Sequence, residues 1–460
     1  MPSRQDQLHS YQFTVQRAVA ALVMRETDPA RSPFRRLAGA GLASVLVAAI
    51  GLGGCALYGL FVGGGSSWRD AGAVIVEKES GARFVYRDGR LHPVLNYASA
   101  LLIVGADRSR TVLVSRRSIE GVPRGLPLGI ADAPDSLPAA GRLSTAPWTV
   151  CSRVSAEAAR AVPRSALLIG REPTGGRRLT EEAVLVRHPD GGLHLIWHQR
   201  RHLLRDTARV LAALATTRER AVPAAPALLN ALPAGVDLAP PSLAGLGEPS
   251  SGVTDATVGD VYLVRNSGGG RQYAVAGRAG LAGITELQAA LLMARTGQDE
   301  PAPISLGRFA ASPKLPDLVP TGPTAPPPAP PRLAGVDGGV LCARIGDDGT
   351  VGEVRVDATV PDLTAARSTD TPGGVRADQV LVEPGRGAVV ESVAAPGADG
   401  GAVSVVTDLG RRYVLADEGV LGMLGYRGVT PVRLPAGLVS LVPAGSTLDP
   451  AAARAAAAPS

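Results

Sequence analysis

The stretch LAGAGLASVLVAAIGLGGCALYGLFV, residues 37–62, contains no charged residue. As a helix it would be about 39 Å long, which exceeds the roughly 30 Å hydrocarbon core of a bilayer. A leader of 36 residues precedes it, whereas a secretory signal has a short basic leader and an apolar core of about 7 to 15 residues. The sequence therefore predicts a permanent membrane-spanning helix that is tilted in the bilayer.

A second interpretation of the same stretch is a lipoprotein attachment site. The residues LGGC at 52–55 resemble a lipoprotein cleavage box, but the apolar sequence continues beyond Cys55 to Val62. A cleaved and acylated cysteine leaves that continuation unexplained, whereas an intact anchor accounts for the whole apolar length. We therefore favour the anchor.

The distribution of arginines predicts the orientation of the span. Four arginines precede it, namely Arg25, Arg31, Arg35 and Arg36. The first fifteen residues after it carry Arg69 as their only basic residue. The positive-inside rule then assigns residues 1–36 to the cytoplasm and everything after Val62 to the outside.

The leader contains a predicted amphipathic helix. In RQDQLHSYQFTVQRAVAALVMRE, residues 4–26, apolar side chains recur at three- and four-residue spacing and form one stripe, made of Leu8, Tyr11, Val15, Val19 and Leu22. A single helix cannot bury such a stripe by itself. It either lies on the lipid surface or docks to a cytosolic partner subunit. The polar face lacks the Lys/Arg enrichment of membrane-surface helices, so we favour the partner.

Composition limits what the remaining chain can be. With 56 Gly, 38 Pro and 3% aromatic residues, its cores must be built from Val, Leu and Ala, which favours many short strands. Arginines alternate with acidic residues and form no basic block, which argues against nucleic-acid binding. Outside the span the cysteines are Cys151 and Cys342. An oxidising compartment and an even count favour a disulfide over two separately buried thiols.

A weak repeat recurs four times. LVRHPDGGLHLIWHQRRHLL from residue 185 aligns without gaps on LVRNSGGGRQYAVAGRAGLA from residue 263, and AVIVEKESGARFVYRDGRL from 73 and AVSVVTDLGRRYVLADEGVL from 402 follow the same scheme. In each, a Gly precedes an aromatic residue or Leu by three positions: Gly81 and Phe84, Gly192 and Leu195, Gly270 and Tyr273, Gly410 and Tyr413. The pattern predicts four related hairpin modules. Two lie between the cysteines and one lies outside each, so a disulfide-closed centre would carry arms on both sides.

The sequence contains none of the common catalytic motifs considered below. No G-x-x-x-x-G-K-[ST] loop exists, neither Lys78 nor Lys314 sits in a Gly-rich turn, and no G-x-S-x-G or H-E-x-x-H motif occurs. Four histidines cluster in sequence: His188, His194, His198 and His202. No carboxylate or thiol completes a metal set there, so we interpret them as exposed, structural histidines. No catalytic, cofactor-binding or metal-ligating residue is predicted.

An ordered succession of motifs over nearly the whole chain resembles the EccB family, the bitopic membrane component of the ESX (type VII) secretion systems of actinobacteria. The matching stretches are SRQDQLHSYQFTVQRAVAALV, the span, YRDGRLHPVLNYASALLIVG, LPLGIADAPDSLP, the contexts of both cysteines, and VPAAPALLNALPAGVDLAPP. The resemblance implies a single inner-membrane crossing and a periplasmic part in which a central domain, stapled by Cys151–Cys342, is flanked by repeat domains.

The resemblance also implies partners. These are EccC (the cytosolic motor ATPase), EccD, EccE and the mycosin protease, with further copies of the chain itself, and the exported clients are small WXG-type proteins. Some family members carry an ATPase label, but the phosphate-binding loop that such an activity needs is missing from this sequence. Neither ATP nor any other cofactor is therefore expected.

The predicted fold class is a single-pass membrane protein with an elongated, α+β or mostly β extracytoplasmic part. The expected order is a cytosolic segment (1–36), the span (37–62), repeat 1 (63–120), the first central segment (121–175), repeat 2 (176–220), an Ala/Pro-rich connector (221–255), repeat 3 (256–300), a Pro-rich connector (301–332), the second central segment (333–395), repeat 4 (396–448) and a disordered tail (449–460).

Three functions compete at this point. The favoured one is a structural core subunit of the secretion complex. The alternatives are an extracytoplasmic nucleotide hydrolase and a cell-wall-binding module whose repeats contact peptidoglycan.

Overall fold

The computed structural model of the 460-residue chain describes residues 3–24, 33–62, 66–70, 72–106, 109–145, 147–154, 162–266, 268–364, 366–368, 375–395, 397–398 and 400–457. The chain begins with two helices, α1 (Arg4–Met24) and α2 (Pro33–Val62). Within α2, the stretch Ala38–Cys55 is long and apolar enough to cross a membrane, and none of it is buried against the rest of the chain. Among the described residues it is the one helix with these properties.

The first folded module follows the span directly. Its elements are a 3-10 helix (Ser66–Arg69), β1 (Ala73–Glu77), β2 (Arg83–Arg87), β3 (Arg90–Pro93), α3 (Tyr97–Val104), β4 (Arg110–Val114) and α4 (Arg116–Ile119). Asp88 and Gly89, both with positive φ, make the tight β2–β3 turn. Asn96 caps the start of α3 by accepting a hydrogen bond from the Ser99 N–H at 3.0 Å.

The chain then enters a central sheet and leaves it for the second module. The central elements are a 3-10 helix (Ala140–Arg142), β5 (Trp148–Val154), β6 (Pro163–Ile169) and β7 (Arg177–Arg178). Module 2 comprises β8 (Val184–Arg187), β9 (Leu193–Trp197), β10 (Arg200–Leu203), α5 (Thr207–Ala213), a 3-10 helix (Arg218–Arg220), β11 (Val222–Pro223) and α6 (Pro226–Ala231).

The second half of the chain follows the same order, with one module, a set of central strands and a second module. Module 3 comprises β12 (Val261–Arg265), β13 (Arg271–Ala276), β14 (Leu281–Ile284), α7 (Glu286–Thr296), β15 (Ala302–Ile304) and α8 (Leu306–Ala311). The chain returns to the central sheet with β16 (Leu341–Ile345), β17 (Val351–Val356), β18 (Arg367–Ser368) and β19 (Gln379–Val382). Module 4 comprises β20 (Gly387–Val393), β21 (Ala402–Thr407), β22 (Arg412–Val414), α9 (Gly419–Met423), β23 (Val432–Pro435) and α10 (Ala436–Val439), and α11 (Pro450–Arg454) follows it.

All four modules share one topology. In each, three consecutive strands form an antiparallel meander, a helix crosses over, and the fourth strand pairs parallel with the first. The spatial order is therefore third, second, first, fourth strand in every module. The four predicted repeats are one fold used four times.

The modules pack in two pairs. Modules 1 and 4 share a core in which Leu101 and Leu102 of α3 meet Val420 and Leu424 of the α9 region. Modules 2 and 3 share a core through α5 and α7, where Val210 and Leu211 meet Leu287 and Leu291. One small module has too little apolar surface to form a stable core by itself. Pairing therefore buries the hydrophobic faces of these short helices against each other.

The central sheet has seven strands in the order β18-β19-β6-β5-β16-β17-β7. Side chains alternate between its two faces, as the period of two in a strand requires. Trp148 and Val150 face a large core that also holds residues of modules 2 and 4, such as Leu228 and Leu438. The residues that alternate with them, including Cys151, face a second and smaller core.

Several boundaries in the structure differ from the sequence expectation. The tail expected to be disordered contains α11, whose Ala453 is fully buried and which packs on α3; Ala favours a helix and leaves room for close packing. The expected connectors at 221–255 and 301–332 begin with elements that complete modules 2 and 3, namely β11, α6, β15 and α8. The strands β11 and β15 are held by parallel pairing to a distant strand, and such pairing leaves no local sequence pattern.

The fourth repeat begins one strand earlier than the sequence indicated. Its first strand, β20, lies within the central segment that the sequence predicts. Gly410 lies in the second turn of the meander, whereas the matching glycines of the other modules lie in the first turn. Two successive hairpins of a meander have the same pattern of alternating residues and Gly turns. Sequence similarity alone cannot tell which hairpin of the module it has matched.

Candidate functional site

The two cysteines outside the span form a disulfide. Cys151 on β5 lies directly opposite Cys342 on β16 in the strand register. Both are buried in the smaller core of the central sheet, beside the small side chains of Ala166 and Ala358. The bridge thus joins the strand that precedes modules 2 and 3 to the strand that follows them, 191 positions later. The expected staple is present between the expected residues.

The apolar stripe of α1 is not buried in this chain. Tyr11 and Leu22 are 70% and 84% exposed, and Leu8 and Val15 are exposed as well. Val19 is partly covered. Phe13, which lies outside the predicted stripe, is also exposed and carries the Arg17 guanidinium 5.8 Å from its ring centre. The helix therefore presents more apolar surface than the sequence pattern identified.

The four arginines of the topology prediction are only partly described. Arg25 and Arg31 lie outside the described residues. Arg35 and Arg36 belong to the first turn of α2, ahead of the apolar stretch that starts at Ala38.

The histidines expected to be exposed include two that are buried. His202 is fully buried on β10, where its Nδ1 lies 2.7 Å from the Val236 carbonyl oxygen and donates to it. His194 is buried on β9, and burial lowers the pKa of its imidazole to about 4. His188 instead lies 2.8 Å from the Asp190 carboxylate. Among the described residues no three His, Cys, Asp or Glu side chains are close enough together to hold a metal ion.

His202 belongs to a feature that the sequence analysis missed, a short segment that follows each module and pairs with its third strand. We call these segments straps; they are residues 123–128, 233–238, 313–318 and 443–448, with the sequences PRGLPL, PAGVDL, PKLPDL and PAGSTL. In all four, the carbonyl of the first-position Pro accepts a hydrogen bond from the third strand, and the sixth-position Leu donates one back to it. The motif P-x-x-x-x-L at four equivalent places was the available signal.

The third strap residue packs against one side chain of the third strand. A Cβ atom on Gly235 would lie 2.2 Å from Cε1 of His202. Gly125 and Gly445 make the same close approach to the rings of His92 and Tyr413. Module 3 has Leu315 in the strap and Ala282 in the strand, and both belong to one hydrophobic cluster. Modules 1, 2 and 4 therefore pack a ring of the third strand against a Gly of the strap. Module 3 has the reverse arrangement, with a large side chain in the strap and a small one in the strand.

Neither lysine is arranged for phosphate binding. Lys314 Nζ donates to the Phe309 and Ser312 carbonyl oxygens, and it lies 4.0 Å from the centre of the Phe309 ring. Lys78 is exposed in the β1–β2 turn. A phosphate-binding lysine needs a Gly-rich loop whose backbone N–H groups face the ligand at a helix start, and neither residue has one.

Comparison with known proteins places these features in one family. The profile of the family described as "Type VII secretion system ESX-1, transport TM domain B" matches residues 1–459. The chain is similar to the ESX-3 secretion system ATPase EccB3 of Mycolicibacterium smegmatis, with 28% identity over 477 residues that cover 96% of this chain and 88% of that protein.

Solved structures agree. A chain of the intact ESX-5 inner membrane complex superposes with a TM-score of 0.68 at 28% identity, covering 100% of this chain and 96% of that one. A chain of the periplasmic assembly of the ESX-5 complex gives 0.66 at 26% identity, covering 87% and 100%. The EccB3 dimer of the ESX-3 core complex gives 0.65 at 27% identity, covering 84% and 100%. With the family profile matched from residue 1 to residue 459, this chain belongs to the EccB family of type VII secretion systems.

Proposed function

We propose that this chain is a structural core subunit of an ESX inner membrane complex and connects cytosolic and membrane motor components to the periplasmic side, for the export of small WXG-type proteins. The observation that carries the proposal is the full-length likeness to a chain of the intact ESX-5 inner membrane complex. That likeness extends through both amino-terminal helices and all four modules, because it covers 100% of this chain.

The amino terminus lies in the cytoplasm, and modules 1 to 4 lie in the periplasm. The four arginines ahead of the span and the single Arg69 shortly after it support this orientation by the positive-inside rule. The likeness of most of the chain to a chain of a periplasmic assembly supports it independently. The disulfide also fits an oxidising compartment.

The α1 stripe docks to a cytosolic or membrane partner. Its apolar side chains are exposed in the single chain, and an exposed apolar face of this kind marks an interaction site. The partners expected from the family are EccC, EccD and EccE, with the mycosin protease on the periplasmic side. A second copy of the chain is expected as well, since a relative forms a dimer.

The chain supplies scaffolding and no turnover of its own. Several relatives carry ATPase in their names, but this chain has no phosphate-binding loop and its two lysines lie outside any phosphate cradle. We assign ATP hydrolysis in the complex to another subunit. Under this assignment the purified chain gives no ATP turnover that tracks with its own point mutations.

The experiment that tests the proposal is native mass measurement of the tagged chain, extracted in mild detergent from cells that carry the whole secretion system. A very large particle that contains the motor and polytopic subunits is expected. The variant Tyr11→Ser/Leu22→Ser should reduce the recovered particle at least about tenfold. The variant Ser10→Ala/Thr14→Ala, on the same helix but away from the stripe, should leave it unchanged. A lone monomer or dimer, under conditions that keep other membrane complexes intact, refutes the proposal.

A further inference from the structure

Module 1 is tied closely to the membrane. Trp68 is 3% exposed and packs in the module core with Ile75 and Phe84. It follows Val62, the last residue of α2, by six positions. Six residues span at most about 20 Å when fully extended. The start of the folded module is therefore tethered within about 20 Å of the end of α2.

Topology determines which end of the module is nearest to the span along the chain. The chain enters the module through the 3-10 helix Ser66–Arg69, which packs against β1 and β4. Since β1 and β4 are parallel and β2 is antiparallel to β1, the start of β4, the β2–β3 turn and the end of α3 all lie at this same end. We call it the membrane-proximal end of module 1. The β1–β2 turn and α4 lie at the opposite end.

The membrane-proximal end is rich in arginine. Its cationic side chains are Arg69, Arg87, Arg90 and Arg110, together with Arg454 from α11, which packs beside the end of α3. The acidic groups that face them are Asp70, 2.8 Å from Arg110, and Asp88, 3.6 Å from Arg87. Five guanidinium groups against two carboxylates leave a net positive end among the described residues.

Two of these arginines line a cleft. Its volume is about 260 Å³, and its walls are Val85, Tyr86, Arg87, Ile103, Val104 and Arg454. Guanidinium groups bind phosphate oxygens in bidentate fashion, and the apolar walls and the tyrosine ring suit the boundary between headgroups and acyl chains. A cleft that combines both properties, at the end of the module tethered to the span, fits a phospholipid headgroup.

We infer that the membrane-proximal end of module 1 docks on the bilayer and binds the phosphate headgroups of anionic lipids through Arg87, Arg90 and Arg454. The inference rests on the membrane span of the proposed function and goes beyond it. This contact fixes the module against the membrane, and through the shared core it also fixes module 4. An arginine close to an anionic surface strengthens binding by about fivefold.

The test uses the full chain in nanodiscs of phosphatidylcholine, with or without phosphatidylglycerol, and hydrogen exchange of peptides that cover residues 86–91. With phosphatidylglycerol we expect exchange of this turn to slow by at least about fivefold, and the protection to fall as salt rises. Arg87→Gln/Arg90→Gln should remove the protection. Lys78→Gln/Arg117→Gln, which removes two charges at the opposite end, should keep it. Arg454→Gln should weaken it without affecting the fold of module 1.

Three results would overturn the inference. The first is equal exchange of the turn in both lipids, in a chain shown to be inserted in the disc. The second is protection in phosphatidylcholine discs on addition of inorganic phosphate alone, which would indicate a site for soluble anions. The third is a chain that stays outside the disc, which would refute the span and the docking together. The first two leave the proposed assembly role intact.

Discussion

The strap contacts make a sharp prediction, because module 3 carries the reverse arrangement of the other three. In module 2 the His202 ring fills the space that a Cβ on Gly235 would enter, and in module 3 Leu315 and Ala282 occupy the corresponding positions. We therefore expect His202→Ala and Gly235→Leu to be destabilising singly and to compensate each other when combined.

The magnitudes follow from packing. Gly235→Leu places a side chain 2.2 Å from a buried ring atom, and overpacking of this kind costs about 1–3 kcal/mol or more. Gly235 does not have a left-handed φ, so backbone strain adds nothing. His202→Ala leaves a cavity and removes the hydrogen bond to Val236, for a cost of about 2–5 kcal/mol. The double variant should lose about 1–2 kcal/mol, mostly from that hydrogen bond, so the coupling energy is at least about 1 kcal/mol.

The assay is native-state hydrogen exchange of the full chain, read at the Arg201 amide, which donates to the Pro233 carbonyl in the strap. A local measurement is needed because a chain of several modules has no single two-state free energy of unfolding. The Leu91 amide makes the equivalent bond in module 1 and serves as the internal control. If the double variant loses the sum of the two single losses, the exchange of large and small partners is not the packing rule of these modules.

Other predictions concern the disulfide, a buried histidine and a buried tyrosine. Cys151→Ser/Cys342→Ser should lower the free energy of unfolding of the central sheet by up to about 5 kcal/mol, because the bridge closes a loop of 191 positions; a denaturant midpoint equal to that of the parent would contradict this. His194 is buried and its pKa is lowered to about 4. Since the unfolded chain binds the proton first, module 2 should lose about 3 kcal/mol between pH 6.5 and 4, and His194→Leu should flatten that acid limb of the exchange profile. Tyr426→Phe should lower the local free energy of unfolding by about 1 kcal/mol, because its buried hydroxyl donates to the Pro138 carbonyl at 2.8 Å; unchanged native-state exchange of the Val429 amide, which donates to the Tyr426 carbonyl, would show that this bond contributes nothing net.

The parts of the fold that were predicted correctly have signals within a short window of sequence. The span needed only an uninterrupted apolar run. The hairpins needed alternating residues around Gly turns. Each property is local, so an isolated segment already carries it.

The parts that were missed depend on contacts between distant segments. The fourth strand of each module pairs in parallel with the first, and it can be as short as Val222–Pro223. Such a strand looks like connector sequence until its partner is known. The straps have a recurring motif, but its structural role is to form hydrogen bonds with a strand some 30 residues earlier, which the motif alone does not identify.

The residues alone predicted one membrane-spanning helix, favoured a bridge between Cys151 and Cys342 over two separate thiols, and indicated a small hairpin unit that recurs four times. The folded chain shows in addition that modules 1 and 4 and modules 2 and 3 pack in pairs, and that Ala453 near the carboxyl end is a core residue. It also gathered Arg87 and Arg454 around one cleft. Periodicity in the sequence indicates which face of a helix or strand is apolar. It does not indicate which other element covers that face, because this depends on packing over the whole chain.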